Sequence, residues 1–588
     1  MPDGSSVSLD AAPRLSGVET LKRDSHGLRG DIVPDLASPA PEVSEGTYNL
    51  LKFHGSYEQH DRDSATARKQ AGLAKDFSFM ARVKLPGGQV TAAQWLALDR
   101  LADEAGDGTL RITTRQAIQF HHVGKRDLTA LIGAVERAAM TTYGACGDVV
   151  RNVITTPAPV RDAVHARLRA EAGALSNALL PRSRSHYEIF VNGEVVTPDG
   201  PVEDDPLYGV AYLPRKFKIA LAHPADNTMD VLGNDLGLVG LWEGETLRGW
   251  IAALGGGFGM THNRPDTYPR LATALALVGP DDTLAASLAA VRMHRDLGNR
   301  SDRRRARLKY VMDDLGPEAA YAAFAERFEG GHVEKAPPLP RLEVPDLLGW
   351  HEQGDGKLWL GLPVLSGRVV DHGATRLRTA LREVMLRHEA EPVLTPTQDI
   401  LLSNLRPERR GEVEALLREH GVAFAEDRTP VARWSMACPA LPTCGLALSE
   451  AERVQDDLVG GIHAALARHG LGDERLAVRI TGCPNGCARP YIGDIGIVGR
   501  MPGNYALFVG GDFEGTRLNW KLRERVLEAD VALTLEPLFA AFAAGRLEGE
   551  GFGDYCERLG LPALDAMLTE AGFPERAPPA RKKAAAAA

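Results

Sequence analysis

Arg111-Ile-Thr-Thr-Arg-Gln-Ala-Ile118 and Val393-Leu-Thr-Pro-Thr-Gln-Asp-Ile400 are two versions of one segment, with Thr, Gln and Ile at the same offsets. Upstream of each lies a glycine turn running into valine, Gly88-Gln89-Val90 and Gly367-Arg368-Val369, and then a helical stretch. The first helix opens with Thr91-Ala-Ala-Gln94, a capping box in which two side chains satisfy amides left over at a helix start. A second repeated pair is interleaved with the first. Asp235-Leu-Gly-Leu-Val-Gly240 matches Asp494-Ile-Gly-Ile-Val-Gly499, Gly255-Gly256-Gly257-Phe258 answers Gly510-Gly511-Asp512-Phe513, and His223-Pro224 holds the place of Cys483-Pro484. One short repeat arises easily by chance; a shared order of several does not. The chain reads as α+β and internally duplicated, each half a small strand–helix unit followed by a larger α+β unit.

The flanks carry less pattern. Residues up to about Glu45 are rich in Pro, Gly, Ser and Asp and read as an extended arm without helix. Gly330 to Pro345 reads as a proline-bearing linker, and the basic, alanine-ended stretch from Pro574 as a disordered tail. With 44% apolar and 25% charged residues the chain has the profile of a soluble globular protein, and no apolar run nears the ~20 residues that cross a bilayer. Met1 to Arg14 lack the basic start and apolar stretch of a secretory leader, which implies a cytoplasmic address. A net charge of −10 argues against general nucleic-acid binding, which rests on an excess of Lys and Arg, yet leaves room for a local basic pocket.

Six cysteines are too few for a disulfide scaffold in so long a chain, and four of them form two tight groups. These are Cys438-Pro-Ala-Leu-Pro-Thr-Cys444 and Cys483-Pro-Asn-Gly-Cys487. Prolines and glycine keep both loops out of regular helix, freeing backbone amides to donate to sulfur. Four thiolates suit an iron–sulfur cluster, while structural zinc usually takes pairs with a gap of about two residues. The gaps here are five and three. Spacing alone leaves cluster, zinc and plain buried thiols open.

The run Thr481-Gly-Cys-Pro-Asn-Gly-Cys-Ala-Arg-Pro490, with Cys438 and Cys444 upstream, resembles the signature of siroheme-containing sulfite and nitrite reductases, nearest to the haemoprotein subunits of sulfite reductases. The likeness extends from about Leu50 to Tyr555. It implies a 4Fe–4S cluster on Cys438, Cys444, Cys483 and Cys487, with Cys487 also ligating the siroheme iron, so that one thiolate joins the two groups. It also implies a three-lobed molecule. An N-terminal extension (1–78) wraps the core, and two ferredoxin-like strand–helix units (79–144 and 346–424) form one domain. A siroheme- and substrate-binding domain (145–345), a 4Fe–4S and siroheme-binding domain (425–572) and the tail (573–588) complete it.

Sulfite is a small anion whose reduction consumes protons, so its site needs fixed positive charge for binding and proton delivery. The family uses two arginines and two lysines there. By motif these fall on Arg82 in Met80-Ala-Arg-Val-Lys-Leu-Pro-Gly-Gly88, Arg151 in Val150-Arg-Asn-Val153, and Lys216 and Lys218 in Leu213-Pro-Arg-Lys-Phe-Lys218. Without the resemblance each reads as a solvated surface charge. Strand alternation puts both ammonium groups on one face and Phe217 on the other. Lys218 bears on substrate choice, because family members dedicated to nitrite commonly carry Asn there. Siroheme's eight carboxylates call for many cationic and amide donors. The implied set is Arg111, Thr113 and Arg115, aimed one way by strand alternation, with Gln119 and His121, then Arg215, and Asn299 and Arg303 from the basic run Asn299 to Lys309. That run also reads as a solvated helix face. The Gly255–Gly257 run offers close backbone approach to a macrocycle.

Cys146 lies in Ala145-Cys-Gly-Asp148, a form reminiscent of ferredoxin-dependent members, some of which join such a cysteine to a tyrosine; Tyr57 is the candidate partner, and an unmodified thiol the plainer state. Cys556 reads as a buried thiol and His54 as a structural histidine. No flavin or nicotinamide motif is evident, so electrons must come from a partner protein, ferredoxin or an NADPH-fed flavoprotein. The implied activity is assimilatory six-electron reduction of sulfite to sulfide, with no nucleic-acid or membrane partner. Reduction of nitrite at the same cofactors, a simple electron carrier and a zinc-stabilised binding protein are the competing readings.

Overall fold

In the computed structural model, which describes residues 15–183, 186, 190–191, 194–195 and 204–575, the two versions of the opening segment sit at equivalent places in two sheets. The first unit runs strand Phe77–Val83, helix Ala92–Ala105, strands Leu110–Ile112 and Ile118–Val123, helix Leu128–Arg137. The second runs strand Leu358–Leu362, helix Leu377–His388, strands Glu391–Leu394 and Ile400–Leu405, helix Arg410–Glu419. In both, the third strand pairs antiparallel with the first and with the short second strand. The units share one apolar core, in which Trp95, Leu98 and Phe120 of one pack with Leu381, Leu402 and Leu417 of the other. Neither helix pair could bury its apolar face alone.

The junction between the units is reciprocal. Arg368 and Val369, from the glycine turn of the second, pair with Arg111 and Leu110 of the first. Gln89, from the matching turn of the first, bridges to Val393 of the second. The glycines are fixed by this geometry. A Cβ on Gly88 (φ +70°) would lie 2.2 Å from the Leu394 carbonyl oxygen, and one on Gly367 (φ +71°) 2.2 Å from that of Ile112. Gln116 Nε2 locks the same junction by donating to Leu394 O at 3.0 Å, and each repeated glutamine braces its own unit's glycine turn, Gln116 Nε2 donating to Gly87 O at 3.1 Å and Gln398 Nε2 to Ser366 O at 3.0 Å. Gly88→Ala is therefore expected to destabilise the protein by about 2–4 kcal/mol, through backbone clash and positive φ together. Differential scanning calorimetry checks this against Gly411→Ala, a helical position with open space around its Cα, which should be neutral or stabilising.

The two larger units repeat a second pattern. One sheet has the strand order Val333–Lys335, Thr273–Val278, Thr246–Leu254, Leu236–Glu243, Ile219–Ala222, with only the last pair parallel. The other has Met436–Ala437, Val478–Thr481, Ile495–Met501, Asn504–Val509, Trp520–Leu527, with the first two pairs parallel. In the first sheet the place of Met436–Ala437 is taken by Val150 and Ile154, which bridge in parallel to Phe217 and Ala220. The repeated aspartates do the same work: Asp235 accepts from Lys218 N at 2.9 Å and Asp494 from Ala477 N at 2.8 Å.

Three expectations are corrected. The opening stretch is not a helix-free arm, since Gly17–Asp24 and Ile32–Ala37 are helical. The first is held by tertiary ion pairs, Lys22 with Asp148 and Glu19 with Arg300, that local composition does not show. The 330–345 linker contributes an edge strand, Val333–Lys335. The space beside Gly256 and Gly257 is already filled, by Leu232 O at 2.1 Å and the Arg307 guanidinium at 2.7 Å from their would-be Cβ atoms. These glycines are required by internal packing on that side. Residues 576–588 of the expected tail and the first 14 of the arm lie outside the described residues. Among the described residues no helix is long and apolar enough to cross a membrane.

Candidate cofactor and anion site

Strand pairing brings the cysteines together. Met436–Ala437 and Val478–Thr481 are parallel neighbours in register, Met436 with Arg479 and Ala437 with Ile480. The loops leaving their ends therefore place Cys438 beside Cys483. Cys438 N donates to Ile480 O at 3.1 Å, and Gly482 N donates to Cys438 Sγ at 3.3 Å. Gly482 has no room for a side chain, as a Cβ would sit 2.5 Å from Ser449 O and 2.6 Å from Ala440 Cβ. Arg62 fixes the other loop, donating to the carbonyls of Cys444, Gly445 and Ala447.

Burial, then the Cys487 sulfur, pushes the Cys483 thiol up to about 12; Cys438 is raised by burial and by all three other cysteines. The four sulfurs thus lie within reach of one another's charge, and a bound cation is what would let them ionise together. Yet among the described residues no three His, Cys, Asp or Glu groups gather closely enough to hold a single metal ion. Zinc needs all four sulfurs at about 2.3 Å from one centre, whereas a cluster of four irons holds them wider apart. The donor set fits the cluster. Cys487 differs from the other three in being exposed, and Thr114 Oγ1, in the turn of the first repeated segment, donates to its carbonyl at 3.1 Å.

Lys216, within electrostatic reach of Cys487, belongs to a group of cations. Phe217 is fully buried in the core, and Arg151 N donates to its carbonyl at 2.8 Å, so Arg151 lies beside the Lys216–Lys218 stretch. Lys216 and Lys218 flank Phe217 and remain half-buried. Protein surrounds them while part of each stays accessible, as in groups lining a concavity. Burial, then Arg215, Arg307 and Arg151, bring the Lys216 ammonium down to about 7. Lys218 is held well below the usual lysine range by burial, Lys216, Arg115 and Arg307. Neither ammonium has a hydrogen bond or ion pair to protein among the described residues, an arrangement that calls for an anion from outside. Arg82 donates to Cys146 Sγ at 2.8 Å and lies 5.9 Å over the Tyr57 ring, while Tyr57 lies within electrostatic reach of both Cys146 and Arg151. Arg82, Tyr57, Cys146, Arg151, Lys216 and Lys218 thus form a chain of electrostatic neighbours, with the Arg151 guanidinium donating to Gly147 O and Ala145 O.

The eight residues expected around a tetrapyrrole divide. Arg82, Gln119 and Arg111 are direct cross-strand neighbours and share a face, with His121 two residues along. His121 is buried, held neutral by burial and the charges of Arg368 and Arg111, and both its ring nitrogens lack partners among the described residues. Arg111 itself is engaged, donating to Ala437 O at 2.9 Å and pairing with Glu452. The strand alternation expected to align Arg111, Thr113 and Arg115 fails, because the strand ends at Ile112 and a turn follows. Thr113 Oγ1 builds that turn by accepting from Arg115 N and Ala117 N. Arg115 points instead to Asn152 O, Ile219 O and Asn234 Oδ1, with its Nε unpaired among the described residues. Arg215 and Arg303 converge on Asp148. Asn299 is exposed and spends its side-chain oxygen on Ser301 N and Asp302 N, so it is not brought to the space. An acidic macrocycle suits the unpaired donors of Arg115, His121 and the lysines.

Sequence reasoning placed Arg307 in the basic run without singling it out, and missed Asn152. Arg307 pairs with Asp235 at 2.8 Å and lies beside both lysines. Asn152 Nδ2 donates to the carbonyls of Leu85 and Arg115, tying the cation stretch to the first unit. The repeated, buried Asp235 was the available signal for Arg307, since a buried carboxylate needs a cation. His54 is buried and bonds Leu28 O and His186, as a structural histidine would. Cys556 is a buried thiol.

Comparison with known proteins places these features. The family described as "Nitrite/Sulfite reductase ferredoxin-like half domain" matches residues 73–138, and "Nitrite and sulphite reductase 4Fe-4S domain" matches 178–330. The second match falls on the copy that carries Lys216, Lys218 and His223-Pro224. A Myxococcus xanthus protein described as sulfite reductase [NADPH] hemoprotein beta-component is 44% identical over 547 residues, covering 93% of this chain and 97% of its own. A Synechococcus elongatus protein described as sulfite reductase [ferredoxin] is 44% identical over 578 residues, covering 95% and 92%. The solved structure of the Mycobacterium tuberculosis NirA protein matches with a TM-score of 0.75 over 94% of this chain and 97% of that one; at 22% identity this establishes a shared fold.

Proposed function

The chain belongs to the nitrite and sulfite reductase family, and we propose that it reduces sulfite to sulfide with electrons from a separate donor protein. The observation that carries this reading is the pair Lys216 and Lys218, two ammonium groups without a hydrogen bond or ion pair among the described residues, Lys216 within reach of the exposed Cys487. Siroheme and a 4Fe–4S cluster, when bound, would relay the donor's electrons, one at a time, in the six-electron reduction. Cys438, Cys444, Cys483 and Cys487 would hold the cluster, Cys487 both groups, and Arg115, Gln119, His121 and Arg215 would meet the carboxylates. Four thiols that must stay reduced suit the cytoplasm.

Arg82, Arg151, Lys216 and Lys218 bind and orient the anion by charge. The guanidinium groups remain charged at any working pH. Lys216, brought to about 7 by burial and its arginine neighbours, can hold or release a proton at Nζ near neutrality, as a proton donor to departing oxygen needs. Tyr57 and Cys146 close the side of the space under Arg82 and Arg151. Lys218 favours sulfite over nitrite, because a further cation suits the more highly charged anion.

The relatives' names carry one donor each, NADPH-linked and ferredoxin, and the surroundings of Cys146 incline the reading to ferredoxin. Mixing the purified chain with reduced ferredoxin, or with NADPH and a sulfite reductase flavoprotein, and following sulfide release tests the proposal. Sulfide from one donor is expected, with nitrite turned over less efficiently. Absence of sulfide with both donors and with a chemical reductant would overturn it.

A further inference from the structure

The helix Gly17–Asp24 is bolted to the segment that presents the substrate-binding lysines, through ionic groups that the reaction does not use. Lys22 is 1% exposed, and its ammonium donates to Leu213 O at 2.6 Å, three residues before Lys216. It also pairs with Glu19 at 2.6 Å and Asp148 at 3.5 Å. Asp148 in turn pairs with Arg303 at 2.7 Å and lies 3.9 Å from Arg215, and Leu213 N donates to its carbonyl at 3.0 Å. From the other side, Arg300 bonds Glu19 and donates to Tyr212 O at 2.8 Å, while Ser16 N donates to Arg300 O. One short helix therefore grips Tyr212, Leu213 and, through Asp148, Arg215.

We propose that Lys22 is a positioning residue for sulfite binding, holding the Leu213–Lys218 segment so that Lys216 and Lys218 project into the anion space. The charge balance gives the reason. Asp148 is shared among Lys22, Arg303 and Arg215. Without Lys22, all of its attraction falls on the two arginines, and Arg215 is drawn toward it, away from the lysine side. At the same time the Leu213 carbonyl loses its buried donor and must find another by moving. The lysines have no protein partner of their own to hold them, so the backbone is what sets their place. A displaced pair of ammonium groups offers the anion less charge on binding, a loss that reads out in KM.

The inference rests on the sulfite reading above, and its test separates the two. In the cofactor-loaded enzyme, Lys22→Met should raise KM for sulfite about tenfold while kcat stays within about twofold. Siroheme and iron content should match the unaltered chain. In a Lys216→Ala background the same change should raise KM by less than about twofold, since its effect runs through that segment. Hydrogen exchange gives a readout besides activity: the amides of Leu213, Phe217 and Lys218 should exchange faster in Lys22→Met than in the unaltered chain, with the two ferredoxin-like units unchanged. If Lys22→Met yields no loaded protein, Lys22→Gln, which keeps a donor for Leu213 O, should raise KM about threefold. Unchanged KM in either variant, a full additive effect in the Lys216→Ala background, or exchange that quickens uniformly would overturn the proposal. If the unaltered chain turns over no sulfite, the functional reading falls, and the exchange data still judge the role of Lys22.

Discussion

Lys218→Ala lowers kcat/KM for sulfite by about a thousandfold and leaves siroheme and cluster content unchanged. Removing one preorganised group aimed at the charge of a reacting species costs about 10²–10³ in rate, and here the loss of anion binding adds to it. The protein is not damaged in the process. The Lys218 ammonium makes no hydrogen bond or ion pair among the described residues, so its removal strands no partner. It also relieves repulsion with Lys216, Arg115 and Arg307, and the thermal midpoint should hold or rise slightly. Lys218→Asn should behave alike toward sulfite while losing less toward nitrite, so that the ratio of the two specificities shifts toward nitrite. Steady-state rates with both anions, referred to measured siroheme, check these outcomes. A loss equal for the two anions would remove Lys218 from substrate choice.

Cys438→Ser or Cys483→Ser abolishes sulfite turnover, by more than about 10³-fold, and removes most of the cluster iron. Both sulfurs are buried at the ends of adjacent parallel strands, and each accepts a hydrogen bond, from Gly482 N or from Asn485 Nδ2. A serine there keeps the loop but offers a hard oxygen in place of a soft thiolate. The binding energy of the metal group is part of the folding energy of its loops. The variants should therefore also unfold at lower temperature than the loaded chain, and not lower than the unloaded one. Iron, acid-labile sulfide and calorimetry together give the measurement. Full iron content in Cys483→Ser would remove that residue from the ligand set.

Much of the fold was legible because the duplicated segments do reciprocal work. The recurring Gly of each copy packs onto the end of a strand in the other, and the recurring Gln braces its own copy's glycine turn, so the sequence had to keep them at matching offsets. The cysteine loops were legible for a similar reason, since neighbouring strands must end in register to bring Cys438 beside Cys483. What was not legible depends on distant partners. Helix Gly17–Asp24 owes its place to Arg300 and Asp148, 281 and 126 residues away from Glu19 and Lys22. The Arg307–Asp235 pair spans 72 residues. Alternation misled at Arg115 because a strand of three residues gives way to a turn, where side chains no longer point by twos. Asn299 looked like part of a basic binding run, but its short side chain is worth more to the local backbone, where it closes an Asx turn.

The account turns on Cys487, the exposed one of the four thiols, serving the cluster and the siroheme at once beside the two lysines. Siroheme retained per chain by purified Cys487→Ser tests this most directly. The predicted result is loss of most of the siroheme, or its retention without the spectroscopic signature of thiolate ligation to iron. A variant that kept its full complement with the iron still thiolate-bound would contradict the account.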